Sequence, residues 1–396
     1  MLINDLPNDC FLLIFNWIFD VQDLLRCYQV DSKWRQLIIY RLKRVRYLQL
    51  GETLIHSIDD ETINYNCHSD NYRIDKDNLS LSGLLPNLKI VDVSNSITGC
   101  ILDTLNYRRL LDMVKENVRG LIFPMQFDNT MDNMLEQCKN IEMIAAHCLG
   151  WRSRKIMIGR KIKQLYLNYD SLSYFENRIR YFPNLIRLHV YYHSDRLRLK
   201  PNNPLLRKLE IIELAAIKTF SDSSAYHGFR FMDLCPALKS AYHSFDCTRG
   251  IIDVTEINFN LQDLVIYYKF DSGQSWESLE KLLSNYPNLK HLALRKNNLI
   301  HDEHIIKVIT LLPRLVLLDV RGSRWITQSS AENLRQFCSR TNRSVYFYHE
   351  PGHAKIQIDW SNLSIRHENI SKGFDFMSNC FLKSFSQLPR LMDNLD

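Results

Sequence analysis

The sequence is poor in the residues from which several kinds of site are built. Twelve glycines are dispersed through 396 residues, and none forms the Gly-rich run that cradles phosphates. Ten cysteines are scattered, the closest pair being Cys138 and Cys148. There is no CxxC pair and no His/Cys cluster at zinc spacing. Free thiols in a reducing compartment are therefore expected, with no metal and no cofactor. Lys and Arg are absent before Arg26, whereas a signal peptide needs a cationic segment ahead of its apolar run. No run reaches the roughly 20 apolar residues of a membrane span; the greasiest, Leu6 to Phe19, is broken by Asn16 and followed by Asp20. The net charge of +6 is too small to demand nucleic acid. A chain inside the cell, cytoplasmic or nuclear and away from membranes, is expected.

What is present is grease at helical spacing near the start. Phe11, Ile14, Phe15 and Ile18 fall at i, i+3, i+4 and i+7, one face of a helix. Asp20 can cap a second helix carrying Leu24, Leu25 and Tyr28, and Asp31 or Ser32 a third carrying Trp34, Leu37, Ile38 and Leu42. The third ends in Arg41, Lys43, Arg44 and Arg46, cations suited to the negative end of a helix dipole. Of the first 40 residues 24 are hydrophobic, 60% against 45% for the chain. A unit this small buries too little surface to stand alone. Part of its apolar surface must therefore meet either the rest of the chain or a partner, and spacing alone leaves both open.

The string Leu6-Pro7, Cys10-Phe11-Leu12-Leu13-Ile14-Phe15, Asp23-Leu24-Leu25-Arg26-Cys27, Val30 and Lys33-Trp34-Arg35 resembles the F-box in order and spacing over about forty residues. That resemblance implies three helices docked on a Skp-type adaptor, which joins them to the cullin and RING subunits of a ubiquitin ligase. It also implies that Leu6, Pro7, Ile14, Phe15, Leu24, Leu25 and Trp34 bury against the adaptor or support that surface. Asp31 stands where the family often has a small residue or Cys.

From residue 86 a phrase of the form P-x-L-x-x-L-x-(L/V/I) recurs at Pro86, Pro183, Pro204, Pro236, Pro287 and Pro313. Versions without proline begin at Val118, Ile141, Ile162 and Leu261. The anchors step by 30, 23, 21, 23, 21, 32, 23, 28 and 26 residues, a period that means a solenoid. The closing L-x-L alternation predicts a short strand with one face inward, and the proline belongs before the strand, not in its ladder. Between phrases lie helical stretches with start signals: Ser275, Asp302, and Ser329 with Glu332 as a capping box. The phrase resembles the leucine-rich repeat, although the family's Asn appears only at Asn297.

The expected architecture is an α/β solenoid, with parallel strands inside and helices outside, behind a three-helix F-box. Its parts are residues 1–46 as F-box, 47–85 as linker or degenerate first repeat, 86–350 as repeats, and 351–396 as cap or tail, where Ile356, Ile358 and Trp360 alternate like a strand. Strand parity points Leu165, Leu188, Leu264, Leu292 and Leu318 inward. It points Tyr166, His189, Tyr191, Tyr242, Tyr267, Arg295 and Arg321 to an open concave side, along with Gln164, Asn168 and Asp319. Tyrosine and arginine are enriched at binding hot spots, so this row is the expected target-binding surface; the alternative is cross-strand packing.

Other motifs carry less. His301 and His304 are three residues apart, not the four of H-E-x-x-H, and lie at a predicted helix start. Residues 151–163 hold six cations, read either as a solvated face or as a nucleic-acid or import patch; with Arg41, Lys43, Arg44 and Arg46 they could present a positive surface. The resemblance implies a non-catalytic substrate receptor of a Skp–cullin–F-box ligase, recruiting an unidentified target protein. The alternatives are an F-box protein with a non-degradative scaffold role and a basic repeat protein that binds RNA.

Overall fold

The computed structural model describes residues 3–51, 61–65, 81–95, 115–123, 138–148, 156–170, 172–193, 204–217, 226–245, 256–269, 273–365 and 369–393. The chain divides into two compact units, Met1–Ile162 and Lys163–Asp396.

The first unit opens with α1 (Asn8–Asn16), α2 (Val21–Tyr28) and α3 (Ser32–Lys43). The expected caps form. The Asp20 carboxylate accepts the backbone N–H groups of Gln22 and Asp23, and that of Asp31 accepts from Lys33, each supplying a partner that the first helical turn lacks. Five parallel strands follow: β1 (Tyr47–Gly51), β2 (Thr62–Tyr65), β3 (Ile90–Asn95), β4 (Gly120–Ile122) and β5 (Met143–Ala146). They run in the order β2-β1-β3-β4-β5. Strand pairing therefore starts at Tyr47, directly after α3. Val45, Leu48 and Leu50 are all buried and form the same x-x-L-x-L phrase. Arg41 is fully buried and donates to the Thr62 carbonyl at 3.1 Å. It belongs to the packing of the first unit, which corrects its expected place in a positive surface.

The second unit is a run of eight parallel strands, each beside its sequence neighbour: β6 (Gln164–Asp170), β7 (Arg187–His193), β8 (Ile211–Ile217), β9 (Ser240–Phe245), β10 (Asp263–Tyr268), β11 (His291–Arg295), β12 (Leu317–Asp319) and β13 (Tyr346–Tyr348). Helices Trp276–Leu283, Asp302–Leu311 and Gln328–Thr341 lie between the later strands. Parallel neighbours need such crossovers, because a tight hairpin can only reverse the chain. Ser275 caps the first as expected. The others differ: His301 and Thr327 are the caps, while Asp302 accepts from the Thr327 backbone N–H at 2.7 Å and from the Thr327 and Ser330 hydroxyls. Asp302 thus ties one repeat to the next. His304 Nδ1 accepts the His301 backbone N–H at 2.9 Å, so this pair closes a helix start.

The recurring proline has a local cause. Leu88, Leu185, Leu238, Leu289 and Leu315 each donate a backbone N–H to the carbonyl three residues earlier, on Leu85, Phe182, Cys235, Tyr286 and Leu312. Each is a β-turn with proline at its second position, where a fixed φ is an advantage and no N–H is needed. The phrase before β8 departs from this. Leu209 donates to Leu206 and Leu188 pairs with Ile212. The anchor is therefore Leu209, not Leu206, a shift of three residues. Pro204 lies outside the turn slot.

The inward row across β6–β12 is Leu165, Leu188, Ile212, Ala241, Leu264, Leu292 and Leu318, paired in register and buried throughout. Truncating Leu264 to alanine should cost about 2–5 kcal/mol, whereas Ile257→Ala, at an exposed site, should stay within about 0.5 kcal/mol. Thermal melts of the two variants check this.

Candidate functional site

Two surfaces come into question. The first belongs to the N-terminal helices. Phe11 and Phe15 both pack on Trp34, with centroids 5.5 Å apart in each case, and Lys33 Nζ sits 4.8 Å over the Phe11 ring. Lys33 also donates to the Leu6 carbonyl at 2.8 Å, and Trp34 Nε1 donates to Asn4 Oδ1 at 3.1 Å. The Leu6-Pro7 entry to α1 is thereby fastened to α3. Phe15, Leu24 and Leu25 are buried, Leu6 and Trp34 are half-buried, and Pro7 is exposed. The expected stripe of Phe11, Ile14, Phe15 and Ile18 holds only for the two phenylalanines. Ile14 faces out at 44% exposure, beside Leu13 at 63% and Trp17 at 78%. Helix α1 is apolar on two sides and α3 covers one of them. Residues 13, 14 and 17 share the other face by helical spacing and stay exposed, with the Phe19 ring edge-on to Trp17 at 6.3 Å.

The second surface is the concave side of the second unit. In register the row reads Tyr166, His189, Glu213, Tyr242, Val265, Ala293 and Asp319. It is not open. Residues 370–393 lie across it and form a second apolar core in which Phe376, Cys380, Phe381, Leu382, Phe385, Leu388 and Met392 meet Ile211, Ala215, Tyr242, Val265 and Ala293. Segments β14 (Ile370–Lys372) and β15 (Leu391–Asp393) pair in parallel within it. The predicted strand at 356–360 is instead a helix, His353–Asp359. Ile356 is buried and Ile358 is 81% exposed, so Ile356 and Trp360, four residues apart, are the pair that shares a side.

Polar contacts fasten this segment. Gln164 donates to the Met392 carbonyl at 2.5 Å and accepts its N–H at 2.9 Å. Arg187 donates to Glu213 at 2.7 Å and to the carbonyls of Pro389 and Arg390 at 2.6 and 3.2 Å. Glu213 also takes His189 Nδ1 at 2.9 Å and the Cys380 thiol at 3.0 Å. Tyr242 donates to the Lys383 carbonyl at 2.9 Å, and Arg295 to that of Phe381 at 2.5 Å. Arg295 and Arg321 both clamp Asp319 at 2.7 Å. Burial alone would raise the Glu213 carboxyl, but Arg187, His189 and Cys380 draw it down to about 2. Burial likewise opposes ionisation of Asp319, and Arg295 and Arg321 bring it to about 2. Burial holds the His189 imidazole below its ordinary range. Burial and the neighbouring Glu213 carboxylate push the Cys380 thiol well up, which keeps it a thiol.

The expected open surface is therefore corrected. Tyr242, Arg295, Arg321 and His189 are buried: the first two lie under the chain's own C-terminal segment, Arg321 meets His353 at 3.1 Å, and the His189 ring packs on Tyr166 at 4.0 Å and Phe385 at 4.5 Å. Tyr166, His189, Tyr191 and Tyr267 do come together, along a cleft of about 660 Å³ that the segment leaves at one end. Parity did not single out Arg187 and Glu213, the centre of the polar cluster.

Three comparisons bear on this arrangement. The F-box-like family model matches residues 3–48. Residues 3–48 are an F-box-like domain. No curated protein matches the chain. Among solved structures, a chain of the TLR13–ssRNA13 complex is 16% identical with a TM-score of 0.43, over 74% of this chain and 40% of its own. This chain thus spans less than half the length of that neighbour. An internalin (inlF) from Listeria monocytogenes is 13% identical with a TM-score of 0.37, over 85% and 90% of the two chains. A chain of the Rad7 and Elc1 complex in yeast is 14% identical with a TM-score of 0.39, over 82% and 90%. The F-box-like domain is followed here by parallel strands with intervening helices, and leucine-rich-repeat proteins stand among the neighbours of that fold. No helix among the described residues is long and apolar enough to cross a membrane.

Proposed function

We propose that this chain is a substrate receptor of a Skp–cullin–F-box ubiquitin ligase. The observation that carries the reading is the uncovered apolar row Leu13, Ile14 and Trp17 on the F-box-like domain. Such a row is costly to leave in water and fits a partner that covers it. In this reading residues 1–46 dock a Skp-type adaptor through Pro7 and Ile14, while Phe15, Leu24, Leu25 and Trp34 hold the helices in place. The repeats present the target, with Tyr166, Tyr191 and Tyr267 at the open end of the concave side and His189 packed beneath Tyr166. Receptor and target held together act by effective concentration, so the chain supplies no chemistry. The Cys380 thiol, buried and hydrogen-bonded to Glu213, is no nucleophile.

Replacing Leu13 and Ile14 together by Asp should abolish co-purification with the adaptor and leave the melting temperature unchanged, because both side chains are exposed while a carboxylate in a desolvated interface costs several kcal/mol. Retained adaptor at matched expression contradicts the reading. The purified chain should form no thioester with ubiquitin; a reducible ubiquitin adduct on any cysteine would overturn the non-catalytic assignment.

A further inference from the structure

Helices α2 and α3 are capped by the carboxylates of Asp20 and Asp31, but α1 is not closed in this way. Its cap position is Pro7, which offers no side-chain acceptor, and the Pro7 carbonyl takes the backbone N–H groups of Cys10 and Phe11 at 3.1 and 3.2 Å. The chain enters α1 through a short arm, residues 3–7, with little buried surface. Ile3–Asp5 form a single 3-10 turn with no buried residue, Pro7 is exposed, and Leu6 is half-buried. A helix start without a side-chain cap leaves its entry angle to other contacts.

The first turn of α3 supplies such contacts. Asp31 accepts the Lys33 backbone N–H at 2.7 Å and so fixes the turn that carries Lys33 and Trp34. The Lys33 ammonium has three donors and no acceptor. It donates to two carbonyls of the arm, that of Asn4 at 3.2 Å and that of Leu6 at 2.8 Å, and lies 4.8 Å over the Phe11 ring. Beside it Trp34 Nε1 donates to Asn4 Oδ1 at 3.1 Å. One cation therefore grips the chain on both sides of Pro7. The exposed Pro7 and the exposed row Leu13, Ile14 and Trp17 lie on the two pieces that this clamp joins.

We propose that Lys33 is a positioning residue for adaptor docking, an inference that rests on the receptor reading above. It acts through Pro7: the charge-assisted bonds to the arm hold the entry to α1 at the angle that presents Pro7 together with Ile14. Asp31 serves the same end by capping the turn on which Lys33 stands. Asn4 is exposed and Leu6 half-buried, so water can replace the ammonium at both carbonyls. Loss of the clamp then releases the arm and leaves the fold nearly intact.

Calorimetric titration of the full chain with purified Skp-type adaptor tests this on Lys33→Met, which keeps a stem over Phe11 and removes the donors. Affinity should fall roughly tenfold or more, the cost of losing a preorganised docking surface, at a nearly unchanged melting temperature. Lys43→Met, exposed at the end of the same helix, should leave it unchanged. Lys33→Arg, which still has donors for both carbonyls, should bind within about threefold of the unaltered chain. A double-mutant cycle separates positioning from direct contact. Added to Pro7→Ala, Lys33→Met should cost less than about threefold, whereas independent losses multiply. If Lys33→Met melts lower, Asn4→Ala, at an exposed residue of the arm, carries the same cycle. Unchanged affinity of the clamp variant, no recovery in Lys33→Arg, or losses that multiply would each overturn the assignment and leave the receptor reading in place. Absent binding by the unaltered chain removes the receptor reading itself, and this inference with it.

Discussion

Replacing Arg187 by alanine should destabilise the protein by about 3–5 kcal/mol, the cost of leaving a buried charge without its partner. Both Arg187 and Glu213 are essentially inaccessible, 2.7 Å apart, and Arg187 also satisfies two carbonyls of the C-terminal segment. The loss should show as a lower urea midpoint. Arg187→Met combined with Glu213→Leu should cost less than Arg187→Ala alone, since no orphaned charge remains. The same cluster sets a dependence on pH. Glu213 titrates at about 2 in the fold against an ordinary 4.5, and Asp319 at about 2 against 3.8. Both folded values are depressed, so the stability they contribute is present above about pH 4.5 and is lost as pH falls toward 2. Unfolding free energy measured from pH 7 down to pH 2 should decline over that window. In Glu213→Gln the decline should be smaller.

Phe381→Ala should cost about 3–5 kcal/mol. Its ring is fully buried against the concave side, 5.6 Å from the Arg295 guanidinium and 6.3 Å from the His291 ring centroid. At roughly 2–4 °C per kcal/mol for a domain of this size, the melting temperature should fall well outside experimental error. A small effect would mean that residues 370–393 contribute little to the fold, and that the concave side is available after all. Ser386→Ala, on the exposed part of the same segment, is the matched control.

Much of this architecture is legible in the residues, and the exceptions have definite causes. The ten anchors from Leu88 to Leu315 are all buried, because a phrase that repeats turn, strand and inward leucine leaves few places for the chain to go. The caps at Asp20, Asp31 and Ser275 form for the same local reason. Pro204 misled the register at β8, since it copies the turn proline three residues early. Reading Leu206 as anchor turns Glu213 away from the concave side and hides the carboxylate on which the polar cluster is centred. The first strand pair is harder to read because Val45-x-x-Leu48-x-Leu50 runs straight on from α3 and its partner Thr62–Tyr65 holds no leucine. The covering of the concave side was not legible at all: residues 370–393 do not repeat, and their burial depends on a surface assembled from strands up to 228 residues away, the separation of Gln164 from Met392. In α1 the period was right but the choice of face was not, because a helix that is greasy on two sides does not say which one the chain itself covers.

Docking of the F-box-like domain on an adaptor is open to direct measurement. Purified Skp-type adaptor titrated into the full chain by calorimetry at several temperatures should give saturable one-to-one binding. The heat-capacity change should be negative, the mark of apolar surface leaving water. The Leu13→Asp, Ile14→Asp variant should give no measurable heat at an unchanged melting temperature. Absence of binding by the unaltered chain, or equal binding by the variant, would contradict the account.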